Sequence, residues 1–344
     1  YGKSIYFSTF VINMKGITDI KSAVNQMNSF GAAGEPFLFA FNYELSEALF
    51  VPAPLDDSEI LFRFGGVSNY RRPDDCSAKD PALRIVKQVE YPEYEDKFGI
   101  ILKGLSRGDS YLANLTCSTE VESDVSLKEI FLATESLFGV YLPGRFVSFS
   151  PERFVRIENG VISCCPMKGT IDAAEPDAEY RILHDYKESC EHNTITDLIR
   201  NDLGMVSEKV WVERFRYIDR IVTDRGEILQ VSSDVRGELK AGWQSRLGSL
   251  ILDLLPAGSI SGAPKPSTVR LIASAEHEKR GFYTGIAGYF DGKVLDSAVL
   301  IRFIEEREGG KLFYRSGGGI TVNSNARDEY EEMLAKIYLP LKKR

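Results

Sequence analysis

Segments that read as strand and segments that read as helix arrive in clusters along this chain, and that order constrains its fold more than any other feature. Strand-like runs occupy 36–43 and 59–64, followed by a Pro/Asp/Arg-rich loop at 67–81, a helix at 91–107 and a strand at 110–118. Ser126 with Glu129 three residues on is a capping-box pattern, and it starts a helix predicted over 126–138. Residues 141–165 read as strands folded back at Glu158-Asn159-Gly160, a hairpin turn. A mostly helical stretch at 175–203 gives way to strand at 211–238, then to helices at 243–254 and 264–279. Strands at 282–290, 294–305 and 311–316 lead through a glycine-rich turn into a last helix at 326–339. Parallel sheets need a crossover between neighbouring strands and hence regular alternation, whereas runs of strands pair as hairpins. The order therefore predicts an α+β chain with largely antiparallel sheets. No internal repeat and no linker-like stretch interrupts it, so residues 1–344 are expected to form one domain.

A formal net charge of −8, with no basic tail or stripe, argues against a nucleic-acid partner, because nothing in the chain would displace phosphate counterions. A local basic pocket for an anionic small molecule is unaffected by that balance. Charges interrupt every long apolar stretch, so no membrane-spanning helix is expected. Five cysteines with no C-x-x-C pair fit reduced thiols in the cytoplasm, and the neighbours Cys164 and Cys165 fit strand packing. With three histidines and no H-x-x-x-H, any bound metal should be a hard cation held by carboxylates.

Two predicted helices supply carboxylates in pairs three residues apart, Glu188 with Glu191 and Glu329 with Glu332. This spacing puts both acids of a pair on one helical face, where they repel by roughly 0.2–0.5 kcal/mol. A cation between the helices removes that repulsion, and Mg²⁺ suits such a place because it takes oxygen ligands and keeps waters. A solvated acidic face reads the same way. Gly317, Gly318 and Gly319 precede the second pair and allow backbone N–H groups to approach an anion closely. The segment from Pro256 to Lys265 offers a second glycine-containing entry to a helix N-terminus. Arg302, inside an apolar run, can clamp a carboxylate through two parallel hydrogen bonds. Lys168 closes another apolar run, where an ammonium snorkels to water, is paired, or is used chemically.

Taken together, these segments resemble the chorismate-utilising enzymes. The resemblance rests on Ser150-Pro-Glu-Arg153, Pro166-Met-Lys-Gly-Thr170, Asp197-Leu-Ile-Arg-Asn-Asp202, the Pro256 to Lys265 segment, Tyr283-Thr-Gly-Ile-Ala-Gly-Tyr289, Ile301-Arg302, and the glycine triplet with Glu329-Tyr-Glu-Glu332. They follow the family's order over roughly 138–344, while residues 1–120 are short and match it weakly. The resemblance implies two largely antiparallel β-sheets packed on each other and flanked by helices, with a Mg²⁺ and chorismate site between them. It carries metal coordination onto Glu191 and Glu332, with Glu188 and Glu329 as water-mediated partners. It carries substrate binding onto Gly169, Thr170, Gln230, Tyr283, Arg302, Gly317, Gly318 and Gly319.

Within the family, position 168 separates the members. The anthranilate, isochorismate and salicylate synthases usually have Ala there, and the large subunits of aminodeoxychorismate synthase have Lys. Resemblance to that branch implies Mg²⁺-dependent amination of chorismate to 4-amino-4-deoxychorismate, toward para-aminobenzoate and folate. It makes Lys168 the covalent nucleophile and Glu152 the general acid and base. The sequence contains no glutaminase signature, so ammonia is expected from solution or from a separate glutamine amidotransferase subunit. Formation of anthranilate or isochorismate is the alternative within the same fold. Gln230 stands where many relatives have histidine; it can hydrogen-bond a leaving hydroxyl but cannot transfer a proton as histidine does.

The hairpin sets a geometric test. A two-residue Asn159-Gly160 loop pairs Glu152 with Met167 and puts Glu152 and Lys168 on opposite faces. A three-residue loop over 158–160 pairs Glu152 with Pro166 and puts both on one face. Joint chemistry demands the second arrangement, or a bulge.

Overall fold

The computed structural model describes residues 16–71, 80–223 and 226–341. The first predicted strand is Phe37–Phe41, and all five of its residues are buried. It is an unbroken apolar run because both of its faces are covered. Phe37, Phe39 and Phe41 pack under helices, whereas Leu38 and Ala40 point toward a second sheet.

Among the described residues ten strands make the first sheet and nine the second, and their pairings are antiparallel throughout. The first runs from Phe37–Phe41 through Ile286–Phe290, Leu295–Val299, Arg153–Glu158 and Val161–Cys164 to a long hairpin, Ser207–Thr223 with Gly226–Leu239. The second is built around Leu112–Ser123, Lys311–Ile320, Phe303–Arg307 and Phe146–Ser148. Leu38, Ala40, Leu49 and Tyr289 of the first sheet meet Phe62, Phe64, Phe146 and Phe303 of the second in a shared core. Helices Ile20–Ala33, Tyr186–Val206 and Leu247–Asp253 cover the outer face of the first sheet, and Tyr91–Ser106, Lys265–Glu276 and Ala326–Ala335 that of the second. This is an α+β sandwich of antiparallel sheets flanked by helices, as the sequence predicts. Among the described residues no helix is long and apolar enough to cross a membrane.

Several boundaries differ from expectation. Helix Ile20–Ala33 and strand Ala48–Pro52 were not predicted. The helix is capped by Asp19, whose Oδ1 accepts from Ser22 N at 2.9 Å, and it seats Gly31 so close to a neighbour that a Cβ would lie 2.3 Å from Gln244 O. Ser126 and Glu129 form the expected capping box, but the helix stops at Ala133. The stretch at 175–203 is two helices, Ala178–His184 and Tyr186–Val206, and Asp185 starts the second by accepting from Glu188 N at 2.8 Å. The run at 294–305 is divided as well: Leu295–Val299 belongs to the first sheet and Phe303–Arg307 to the second. The chain crosses between sheets at Leu300, Ile301 and Arg302, with Arg302 left-handed at φ 51°. The glycine-rich turn is not a turn. Lys311–Ile320 is one continuous strand, and Gly317, Gly318 and Gly319 pair with Thr116, Leu115 and Asn114. Of the loop at 67–81, Val67–Ser68 forms a short strand, and 72–79 lie outside the described residues.

Candidate active site

A cavity of about 540 Å³ opens where the chain crosses between the sheets, a size suited to a small-molecule ligand. The first sheet contributes Glu152, Lys168, Gly169 and Thr170 to its wall, and the second contributes Arg315, Gly317, Gly318 and Gly319. Glu188 and Glu191 project from Tyr186–Val206, Glu329 and Glu332 from Ala326–Ala335, and Arg302 and Tyr283 also line it.

The hairpin test resolves in an unexpected way. Glu158 pairs with Val161, and Asn159 and Gly160 have φ of 51° and 76°, so the loop has two residues. Plain alternation would then place Glu152 and Lys168 on opposite faces, yet both line the same cavity. Irregularities in the strands account for this. Glu152 precedes the regular strand, whose register against Leu295–Val299 shifts between Arg153 and Arg156. Val161–Cys164 and Met167–Asp172 are separate strands, and the second shifts register at Gly169, which is left-handed at φ 77°. Gly169 also permits a close approach, since a Cβ there would stand 3.0 Å from Glu188 Oε2.

Lys168 Nζ lies 3.8 Å from Glu191 Oε2, with the lysine side chain 35 % exposed. It stands beside Glu191 on the cavity wall. The surrounding protein desolvates Glu152 and pushes its carboxyl above the usual range, opposed by a hydrogen bond with Ser259 and by the Lys168 charge. The neighbouring His192 on the same helix as Glu191 is 1 % exposed, with Nε2 2.7 Å from Ser233 Oγ. Burial, with the Arg216 and Lys168 charges, pushes its imidazole down to about 4, so it is neutral at pH 7.

The glycine run approaches the cavity as a strand edge. Its neighbour Phe303–Arg307 pairs only as far as Arg315, while the pairing with Leu112–Ser123 continues to Ile320. Lys336, which follows Ala326–Ala335, donates from Nζ to Gly317 O at 2.8 Å and lies 2.8 Å from Glu332 Oε1. Ser324 Oγ donates to Glu329 Oε1 at 2.8 Å. Among the described residues no group of three or more His, Cys, Asp or Glu side chains is gathered to enclose a metal ion. Mg²⁺ needs only one or two protein carboxylates and completes its shell with water and substrate oxygens. The four glutamates facing this cavity would suit a hydrated Mg²⁺ ion better than a caged one.

One expectation is corrected. Gln230 does not line the cavity: it pairs with Thr170 from Gly226–Leu239, the next strand inward in the same sheet. The segment from Pro256 to Lys265 reaches the cavity through Ser259, Ile260 and Gly262, while Lys265 Nζ is held 2.9 Å from Asp202 Oδ1 and 2.8 Å from Leu254 O. Conversely, Lys336 and Arg315 line the cavity without having been singled out. Only Lys336 carried a signal, its i, i+4 spacing from Glu332.

The chorismate binding enzyme family matches residues 20–342. An uncharacterized PabA-like protein of Haemophilus influenzae is 46 % identical over 322 residues, covering 92 % of this chain and 96 % of the relative. Aminodeoxychorismate synthase component 1 of Salmonella typhimurium is 31 % identical over 267 residues, covering 71 % of this chain and 56 % of that protein. Among solved structures, the menaquinone-specific isochorismate synthase MenF of Escherichia coli shares the fold with a TM-score of 0.70 at 16 % identity, over 92 % of this chain and 80 % of that one. The chain is a member of the chorismate binding enzyme family and acts on chorismate.

Proposed function

We propose that this cavity aminates chorismate at the ring carbon bearing its hydroxyl, giving 4-amino-4-deoxychorismate and water. Ammonia would be delivered by a separate glutamine amidotransferase subunit. The observation that carries the reading is the placement of an amine, Lys168, and a carboxyl with raised proton affinity, Glu152, on one cavity wall despite a hairpin register that would separate them.

The residues divide the work as follows. Glu191 and Glu332 would hold Mg²⁺, with Glu188 and Glu329 acting through water. When bound, the ion supplies positive charge to a substrate carboxylate. Arg302 and Tyr283 bind the other carboxylate end, and the glycine edge permits close approach of the substrate. Lys168 must present a free amine, because only the unprotonated nitrogen has the lone pair that attacks. Its nitrogen bonds to the ring while the hydroxyl leaves with its electron pair, taking the Glu152 proton and departing as water. Ammonia then bonds to the ring, the bond to Lys168 breaks, and Glu152 takes up the proton that ammonia loses. The net change exchanges hydroxyl for amine.

Intact-mass analysis tests the nucleophile. Enzyme mixed with chorismate and Mg²⁺ in the absence of ammonia should gain chorismate minus water on the peptide containing Lys168, and ammonium should release it. An enzyme that turns over without ever carrying that mass contradicts the covalent role.

A further inference from the structure

We propose that Arg315 is a second guanidinium receptor for a substrate carboxylate and sets the preference of this site for dicarboxylates over monocarboxylates. The inference rests on the reading of the cavity as a chorismate site, because chorismate carries one carboxylate on its ring and another on its enolpyruvyl ether.

Arg315 lies two residues before Gly317 on the strand that edges the cavity. Its side chain is 1 % exposed, yet it lines the cavity, with its guanidinium 5.5 Å from the centre of the Tyr283 ring. Its own bonds are long. Nη1 stands 3.2 Å from Glu278 Oε2 and 3.5 Å from Glu305 Oε1, Nη2 is 3.4 Å from Lys279 O, and Nε has no partner. Charge-assisted N–H···O bonds run at about 2.7–2.9 Å. Both acids also have a nearer cation: Arg307 Nη2 is 2.6 Å from Glu278 Oε1 and bonds closely to Glu305 Oε1.

Arg280 shows what a purely structural buried arginine looks like in the same molecule. It too is 1 % exposed, but it makes bonds of 2.6 and 2.9 Å to Glu276 and of 2.6 Å to Asn114 O. Its donors are consumed. Arg315 has five donors and spends few of them, so it is a buried cation incompletely matched until an anion arrives. Arg302 offers the other guanidinium, loosely tied by a 3.4 Å contact to Lys336 O. Arg302 and Arg315 also both lie near enough to Tyr283 to favour its ionised form against the burial that pushes it up. With the ion serving one carboxylate, two guanidiniums beside one tyrosine fit a shared grip on the other, which a monocarboxylate held at the ion lacks.

The test is calorimetric binding of chorismate and of benzoate, each with Mg²⁺, to the full chain and to Arg315→Gln, Arg315→Lys and Glu278→Gln. Arg315→Gln should weaken chorismate about tenfold or more and change benzoate less than about twofold. Arg315→Lys should fall between, because it keeps the charge and loses the fork; it serves alone should the glutamine variant not fold. Glu278→Gln frees the arginine and should leave chorismate binding equal or tighter. Unchanged chorismate affinity in the Arg315 variants, or a loss in Glu278→Gln as large as theirs, overturns the assignment and marks Arg315 as structural. A wild-type protein that ignores chorismate overturns the substrate reading itself and this inference with it.

Discussion

The two walls of the cavity are built in opposite ways. The second sheet presents Lys311–Ile320, whose ladder with Leu112–Ser123 runs unbroken through three glycines. The first sheet presents Glu152 and Lys168 at places where its ladders slip or stop. A regular strand fixes backbone position, which suits holding a ligand. A bulge re-aims a side chain, which suits placing two groups that simple alternation would separate. On the proposed function, binding falls to the smooth wall and chemistry to the broken one, and mutations can break that division.

The largest effect belongs to the broken wall. Lys168→Ala should slow amination by on the order of a thousandfold or more, and Glu152→Gln by about 10²–10⁴-fold, with chorismate affinity largely kept in both. Measured product formation beside binding separates the two walls: a variant that loses affinity and not rate would reverse the assignment. Next in size, Glu191→Gln or Glu332→Gln should shift the Mg²⁺ concentration for half-maximal activity by about tenfold or more. An unmoved Mg²⁺ titration removes that residue as a ligand.

The smooth wall should respond through packing. Gly317→Ala places a Cβ 2.4 Å from Leu115 O, against backbone that cannot yield cheaply. It should cost about 1–3 kcal/mol in urea unfolding. Gly318→Ala meets only the Glu329 carboxylate, at 3.2 Å, and Lys336 Nζ, both ends of flexible side chains. Its stability should stay within about 0.5 kcal/mol of wild type while Mg²⁺ dependence shifts. Equal losses in the two variants would mean that the strand, and not the cavity, governs both.

Much of this was legible from residue order. Clustered strands announced antiparallel sheets, the Ser126 and Glu129 box started its helix at the expected place, and the candidate site residues other than Gln230 gather on one cavity. What escaped was tertiary. Helix Ile20–Ala33 buries Ala23, Val24, Met27 and Gly31, but its Asn and Gln residues dilute the periodic signal. The apolar run at 294–305 hides a change of sheet, because both halves are buried and only the left-handed Arg302 marks the crossing. Glycines at 317–319 read as a turn from composition alone; close contact with Leu115 and Thr116 explains Gly317 inside a strand. Arg315 was invisible because its significance lies in which bonds it does not make.

The smallest predicted effect concerns pH. His192 has a folded pKa near 4 against about 6.5 unfolded, so the unfolded chain binds more protons between those values. Its contribution to stability is therefore complete above about pH 6.5 and is lost as pH falls toward 4, about 1–2 kcal/mol by pH 5. Glu152, whose carboxyl is raised, works in the opposite direction. Urea unfolding at pH 7 and pH 5 should show a smaller acid loss in His192→Gln than in wild type. An identical loss would place the acid sensitivity elsewhere.

Product analysis bears most directly on the central claim. Purified protein incubated with chorismate, Mg²⁺ and ammonium should form 4-amino-4-deoxychorismate in wild type and none above background in Lys168→Ala. Anthranilate or isochorismate as the wild-type product, or amination that survives loss of Lys168, would contradict it.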